Sequence, residues 1–173
     1  MATVYLGLGS NIGPQKKNLL KAINKLARLD IKIKKISGMY ESTFEGYSKI
    51  FGISIPAPWP PVLNCALQAD TDYSPFEVLQ RILQIEKSLG RFRVCGMSNL
   101  PRIIDIDILF YNDMIITHRM LTVPHARLHI RPFVLVPLAE IAPNFRHPVF
   151  NKSVMELLGE LQKKGVKNWP KLV

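Results

Sequence analysis

Cysteine is scarce in this chain: Cys65 and Cys95 are the two among 173 residues. They lie far apart and match no zinc or redox spacing, so a reduced, cytoplasmic protein with no disulfide framework is expected. No apolar run approaches the roughly 20 residues of a membrane span. Met1 to Ser10 carries no Lys or Arg, and Gly7 and Gly9 interrupt its apolar stretch, so no secretory leader is expected either. A Gly-Lys-Ser/Thr phosphate loop is missing, and so is a nucleophilic Ser or Cys with an evident base. Repeats and low-complexity segments are absent. Acidic residues are few, 13 against 23 Lys and Arg, for a net charge of +10. The excess is not spread evenly. Residues 16–35 hold eight basic residues and one acid, residues 151–173 hold five lysines and two acids, and the stretch between them is balanced. A basic chain suits a polyanionic partner, but a solvated helix face and tail is the simpler source of this excess.

What is present reads as a globular domain. Hydrophobic residues make up 47% and charged residues 21%, enough for one core over residues 1–173, with 153–173 a C-terminal helix and tail. Thr3–Leu8 alternates as a strand, and Gly9-Ser10-Asn11 reads as a turn into a helix opened by Gly13-Pro14. Ile31–Ser42 reads as one long strand with a bulge at Lys34-Lys35. Residues 43–61 contain four prolines and no sustained period, which predicts a long binding loop. Val62–Ala69 returns to strand. Ser74-Pro75-Phe76-Glu77 is a capping box that opens a helix ended by Gly90. Residues 91–102 form a second loop, Ile103–Phe110 a strand, and Pro132–Ile141 a short apolar helix. The order strand, helix, strand, strand, helix, strand is the split βαβ pattern of a ferredoxin-like α+β sandwich. A mostly antiparallel sheet with helices on its faces is therefore expected, leaving sheet surface free for loops.

The sharpest chemical feature is Asp105-Ile106-Asp107. In a strand, residues two apart share a face, about 7 Å from each other. Ile104, Ile106, Ile108 and Phe110 are then expected on the opposite, buried face. Two adjacent carboxylates raise each other's pKa unless a cation neutralises them. Magnesium, which takes one or two carboxylates plus substrate phosphates, fits. Arg91, Arg93 and Arg102 flank the strand on one side, and Arg119, Arg127 and Arg131 follow on the other. Arginine forks match phosphate oxygens. His125, after Pro124, is a further phosphate candidate or else structural. Asn64 presents an amide suited to a heterocycle edge or to the sheet itself.

Taken in order, these motifs resemble the 6-hydroxymethyl-7,8-dihydropterin pyrophosphokinase family. The resemblance rests on Leu8-Gly9-Ser10-Asn11, Tyr40-Glu41-Ser42, Leu63-Asn64, Glu86 with Gly90-Arg91-Phe92-Arg93, and Pro101 to Ile108. Leu121 to His125 and Arg131-Pro132-Phe133 continue it. It implies transfer of the diphosphate of ATP to the hydroxymethyl group of a dihydropterin, releasing AMP, with ATP as co-substrate and two Mg2+ ions. It also implies a monomer acting on small molecules, without nucleic acid or membrane. By resemblance, Asp105 and Asp107 hold the metal, and Arg91 and Arg102 act on the moving phosphates. Glu86, Arg91, Arg93, Arg102, Ile108, Thr122, His125 and Arg131 are then ATP-side positions, and Ser42, Asn64 and Phe133 pterin-side positions. Val62 stands where the family has an aromatic residue, and Phe44, Tyr47, Phe51 and Trp59 are the aromatics available nearby. The alternative is an RNA-binding or catalytically inactive module on the same fold.

Overall fold

The computed structural model describes residues 1–44, 47–50, 53–56, 59–91, 97–98, 100–166 and 169–173, with backbone alone at 47–50, 53–56 and 97–98. The chain runs through β1 (Ala2–Ser10), α1 (Gln15–Ala27), β2 (Lys32–Ile36), β3 (Tyr40–Ser42), β4 (Tyr47–Ile50), β5 (Ile53–Pro56) and β6 (Val62–Thr71). It continues with α2 (Pro75–Ser88), β7 (Met97–Ser98), β8 (Asp105–Tyr111), β9 (Ile116–His118), β10 (Leu121–Val123), a 3-10 turn (Leu128–Ile130), α3 (Pro132–Ile141), α4 (Val154–Lys163) and β11 (Lys171–Leu172). The main sheet has the order β11-β3-β6-β1-β8, with β2 also pairing β6, and every pair is antiparallel. That is the order of a split βαβ fold, as the element pattern predicted.

Helix ends follow local chemistry. Ser74 and Glu77 close a reciprocal capping box on α2, Pro75 sits in its first turn, and Gly90 beyond its end adopts φ +93°. Ser153 and Glu156 form a second capping box on α4. The lysines of α1 face outward while Leu19, Ala22, Ile23 and Leu26 are buried. They meet Val78, Ile82 and Ile85 of α2 over one sheet face, against Val4, Leu6, Leu8, Cys65, Leu67, Ile104, Ile106 and Ile108. Each such aliphatic side chain contributes about 1.5–3 kcal/mol by leaving water.

Four expectations need correction. First, β1 does not turn at Gly9: Gly9 and Ser10 pair with Asn64 and Leu63, so the strand continues to Ser10. Second, Ile31–Ser42 is two strands, β2 and β3, broken at residues 37–39. There the Ser37 hydroxyl accepts the Ala66 N–H in place of a ladder bond. The bulge at Lys34 is present, where the register shifts between Ile33 and Lys35. Third, residues 43–61 are not without strands, because β4 and β5 form a hairpin and β4 pairs with β7. Fourth, Phe110 leaves the face of Ile104, Ile106 and Ile108. Tyr5 opposes Phe110 while Leu6 opposes Ile108, so Leu109 is an extra residue in β8. Leu109 and Phe110 therefore both join Tyr5, Ala66, α3 and α4 in a second core, and Tyr111 returns to the first. The second sheet face is thus half covered by helices, and its remaining half is open. Among the described residues, no helix is long and apolar enough to cross a membrane.

Candidate active site

The open half of that face is a cleft of about 550 Å³. Strand register builds its floor: Asn64, Gly9 and Asp105 stand in one row, and Ala66, Gly7 and Asp107 in the next. Directly opposed residues present their side chains to the same face. The middle strand contributes no side chain here. A Cβ on Gly9 would lie 3.4 Å from Asn64 Oδ1 and 3.5 Å from Val62 Cγ1, and one on Gly7 would lie 3.2 Å from Leu109. The glycines keep a trough open between the Asn64 edge and the carboxylate edge.

At the carboxylate edge, Asp105 accepts hydrogen bonds from two arginines. Arg91 Nη1 donates to Oδ1, and Arg102 Nη1 donates to Oδ2 at 2.5 Å. Arg91 also donates to Glu86 Oε1. Glu86 is buried near the end of α2 and accepts the Ile106 N–H at 2.8 Å, which ties the helix to β8 behind the cleft. Asn11 holds Arg102 from the other side: its N–H donates to the Arg102 carbonyl at 3.1 Å, and its Oδ1 accepts the Arg102 N–H at 2.7 Å. Asn11 Nδ2 is buried and has no hydrogen-bond partner among the described residues.

Asp107 faces His125, with Nε2 3.9 Å from Oδ2. Burial, then the charge of Asp105, pushes the Asp107 carboxyl up to about 6, against the pull of Arg131, Arg91 and Arg102. Burial, then repulsion by Arg131 and Arg127, pushes the His125 imidazole down to about 4. The ring is therefore neutral near pH 7. Its Nδ1 accepts the Arg127 N–H at 3.3 Å, which leaves the ring proton on Nε2. Arg91, Arg102, Arg127 and Arg131 outnumber the two aspartates along the cleft, so its surplus is cationic.

The opposite end is built around Asn64. Its Nδ2 donates to the Val62 carbonyl and to Ser42 Oγ, both at 2.9 Å, with the Tyr40 carbonyl at 3.3 Å. Two of these partners are backbone carbonyls and can only accept, so the amide cannot be reversed. Oδ1 therefore faces β1 and the cleft. Phe133, in the first turn of α3, lines the same cleft, with the Arg131 guanidinium carbon 5.5 Å from its ring centre. Of the four candidate aromatics, Phe44 is placed on the cleft wall, which Val62 also lines. The side chains of Tyr47 and Phe51 lie outside the described residues.

The cleft brings together Ser42, Asn64, Arg91, Arg102, Asp105, Asp107, His125, Arg131 and Phe133. Three other expected positions do not line it. Glu86 sits behind Arg91, the Ile108 side chain is packed in the first core, and Thr122 is exposed on β10. Arg93 lies outside the described residues. Arg127 also lines the cleft, as do Asn11, Gly7 and Gly9, which local sequence pattern does not by itself mark as site residues. The available signal was two glycines at strand period 2, the pattern of a face that must stay bare.

The chain matches the sequence model of the 7,8-dihydro-6-hydroxymethylpterin-pyrophosphokinase family over residues 5–143. It is 42% identical over 160 residues to the 2-amino-4-hydroxy-6-hydroxymethyldihydropteridine pyrophosphokinase of Aquifex aeolicus (strain VF5), covering 92% of each chain. To the protein of that name from Synechocystis sp. it is 38% identical over 166 residues, covering 95% of this chain and 78% of the relative. The fold is similar to the crystal structure of Plasmodium falciparum HPPK-DHPS with pteroate, at TM-score 0.73 and 17% identity. That match covers 99% of this chain and 47% of the solved one.

Proposed function

Because the chain belongs to the 7,8-dihydro-6-hydroxymethylpterin-pyrophosphokinase family, we propose that it transfers the diphosphate of ATP to the hydroxymethyl group of 6-hydroxymethyl-7,8-dihydropterin in folate biosynthesis. The hydroxymethyl oxygen bonds to the β-phosphorus, the bond from the α-phosphate bridging oxygen to that phosphorus breaks, and AMP leaves. One observation carries this reading: a single cleft has carboxylates and arginines at one end and a polarity-defined amide at the other, with an aromatic ring in its lining. A glycine-floored gap joins the two ends.

Transfer of this kind needs positioning and charge neutralisation more than covalent help. Arg91 and Arg102 neutralise the moving phosphates, and Arg131 and the His125 Nε2–H hold the nucleotide side. Glu86 orients Arg91 from behind. Asn64 Oδ1 accepts an N–H of the pterin, Ser42 keeps that amide turned, and Phe133 and Phe44 cover the ring. Asp105 and Asp107 supply hard oxygen donors on one face beside phosphate-binding arginines, which fits magnesium. These two residues would hold the ions, two of which are expected, and bound magnesium offsets phosphate charge and aligns the polyphosphate. Water must be kept from the reacting phosphorus. The β4–β5 hairpin follows Phe44, and β7 lies between Arg91 and Arg102. Pairing of β4 with β7 links these two segments by backbone hydrogen bonds. Reading the chain as an RNA binder is not favoured, because the open face offers carboxylates and glycines where a stacking platform is needed.

The test is chromatographic. Protein incubated with ATP, magnesium and 6-hydroxymethyl-7,8-dihydropterin should yield AMP and the diphosphorylated pterin in equal amounts. No AMP beyond a protein-free control overturns the activity, and full turnover by Asp107→Ala overturns the assignment of the site.

A further inference from the structure

The family match stops at residue 143, yet the chain returns to the site after it. Trp169 packs against the second core and donates its Nε1–H to the Val166 carbonyl at 2.8 Å. From that anchor the last residues run antiparallel to the outer edge of β3, with Lys171 opposite Glu41 and Leu172 opposite Tyr40. The Val173 N–H then donates to the Met39 carbonyl at 2.9 Å. β3 has three residues, too few to hold a register firmly at a sheet edge. Its other supports are β6 and α3, from which Glu140 Oε2 accepts the Gly38 N–H at 2.9 Å and the Tyr40 hydroxyl at 3.0 Å. Gly38 fits the tail closely, since a Cβ there would fall 2.5 Å from Leu172 Cδ1.

What β3 carries makes the docking consequential. The Tyr40 carbonyl and Ser42 Oγ are two of the three acceptors that orient the Asn64 amide. We propose that β11 is a positioning element for the pterin side: by clamping β3 against β6 it keeps Asn64 Oδ1 turned into the cleft. This rests on the pyrophosphokinase reading above. The carboxylate edge lies across β1 and, among the described residues, shares no hydrogen bond with β3, so the effect is confined to one substrate.

The experiment compares the full chain with a variant ending at Pro170 and with Gly38→Val, which keeps the tail but displaces Leu172. KM for the dihydropterin should rise about tenfold in both, the worth of roughly one net hydrogen bond. KM for ATP and kcat should stay within about twofold, and Leu172→Met should behave as the full chain. Absence of AMP from the full chain overturns the activity reading itself. With an active full chain, an unchanged pterin KM in a folded variant overturns the proposal. So does an equal rise in both KM values, or loss of folding in both variants, because β11 is then structural.

Discussion

Asp107 and His125 meet as an acid and a base whose charges are both suppressed: Oδ2 and Nε2 are 3.9 Å apart, with the carboxyl pushed up to about 6 and the imidazole down to about 4. Above pH 6 the pair is a carboxylate facing a neutral ring, and below it Asp107 takes a proton. In the proposed site a protonated Asp107 could not ligate magnesium, so proton and metal would compete for one oxygen. Activity should therefore fall on an acid limb near pH 6, and raising magnesium should move that limb to lower pH. A pH–rate series at two magnesium concentrations checks this, and a limb that ignores magnesium contradicts it.

Glu86→Ala should separate stability from binding. It leaves the Ile106 N–H buried without its acceptor and releases Arg91 from behind. Urea unfolding should show a loss of about 1–3 kcal/mol. Turnover should fall by more than either KM rises, given the proposed role of Arg91 in neutralising charge that develops during transfer.

Gly9→Val tests the trough. A β-branched side chain suits a strand, so unfolding free energy should change by no more than about 1 kcal/mol. The new methyls would stand beside Asn64 Oδ1, within reach of the Val62 side chain. Pterin affinity should drop at least about tenfold in a fluorescence titration. Unaltered affinity would place the ring elsewhere.

A pH effect on folding should come from His147, outside the cleft, as well as from His125 within it. His147 is 3% exposed and packs edge-on to Phe110 and at a tilt to Phe150, and burial followed by the His129 charge pushes it down to about 4. Unfolded, it binds a proton near pH 6.5. Between pH 6.5 and 4 the unfolded state thus holds more protons, so stability declines as pH falls through that window and levels off below it. The total is at most about 3 kcal/mol. His147→Asn retains an acceptor for the Val149 and Phe150 N–H groups, and it should reduce the slope seen in denaturant melts across this range, with His125 supplying a further part.

The periodic elements were readable because each buries one face: α2 and α3 fall within a residue or two of their expected bounds, and α1 and α4 begin where expected. The acid pair on one open face followed from strand period alone. Legibility failed where a tertiary partner overrode local pattern. Gly9 looked like turn chemistry because a strand residue without a side chain has no periodic signature, and its pairing with Asn64 and Asp105 is long-range. Phe110 changed face because the extra residue at Leu109 answers to Tyr5 across the sheet. Asn11 was hidden since its task is to grip the backbone of Arg102, 91 residues away, which no local spacing encodes. β11 went unread for the same reason, as two residues acquire strand geometry from Tyr40 and Glu41.

The double grip of Arg91 and Arg102 on Asp105 has a practical corollary. Arg91 and Arg102 supply counter-ions to Asp105 from within the chain, so part of the repulsion along the acidic strand is offset without any added cation. Chelation should silence turnover while leaving the melting temperature in place, and readding metal should restore full rate with no refolding lag.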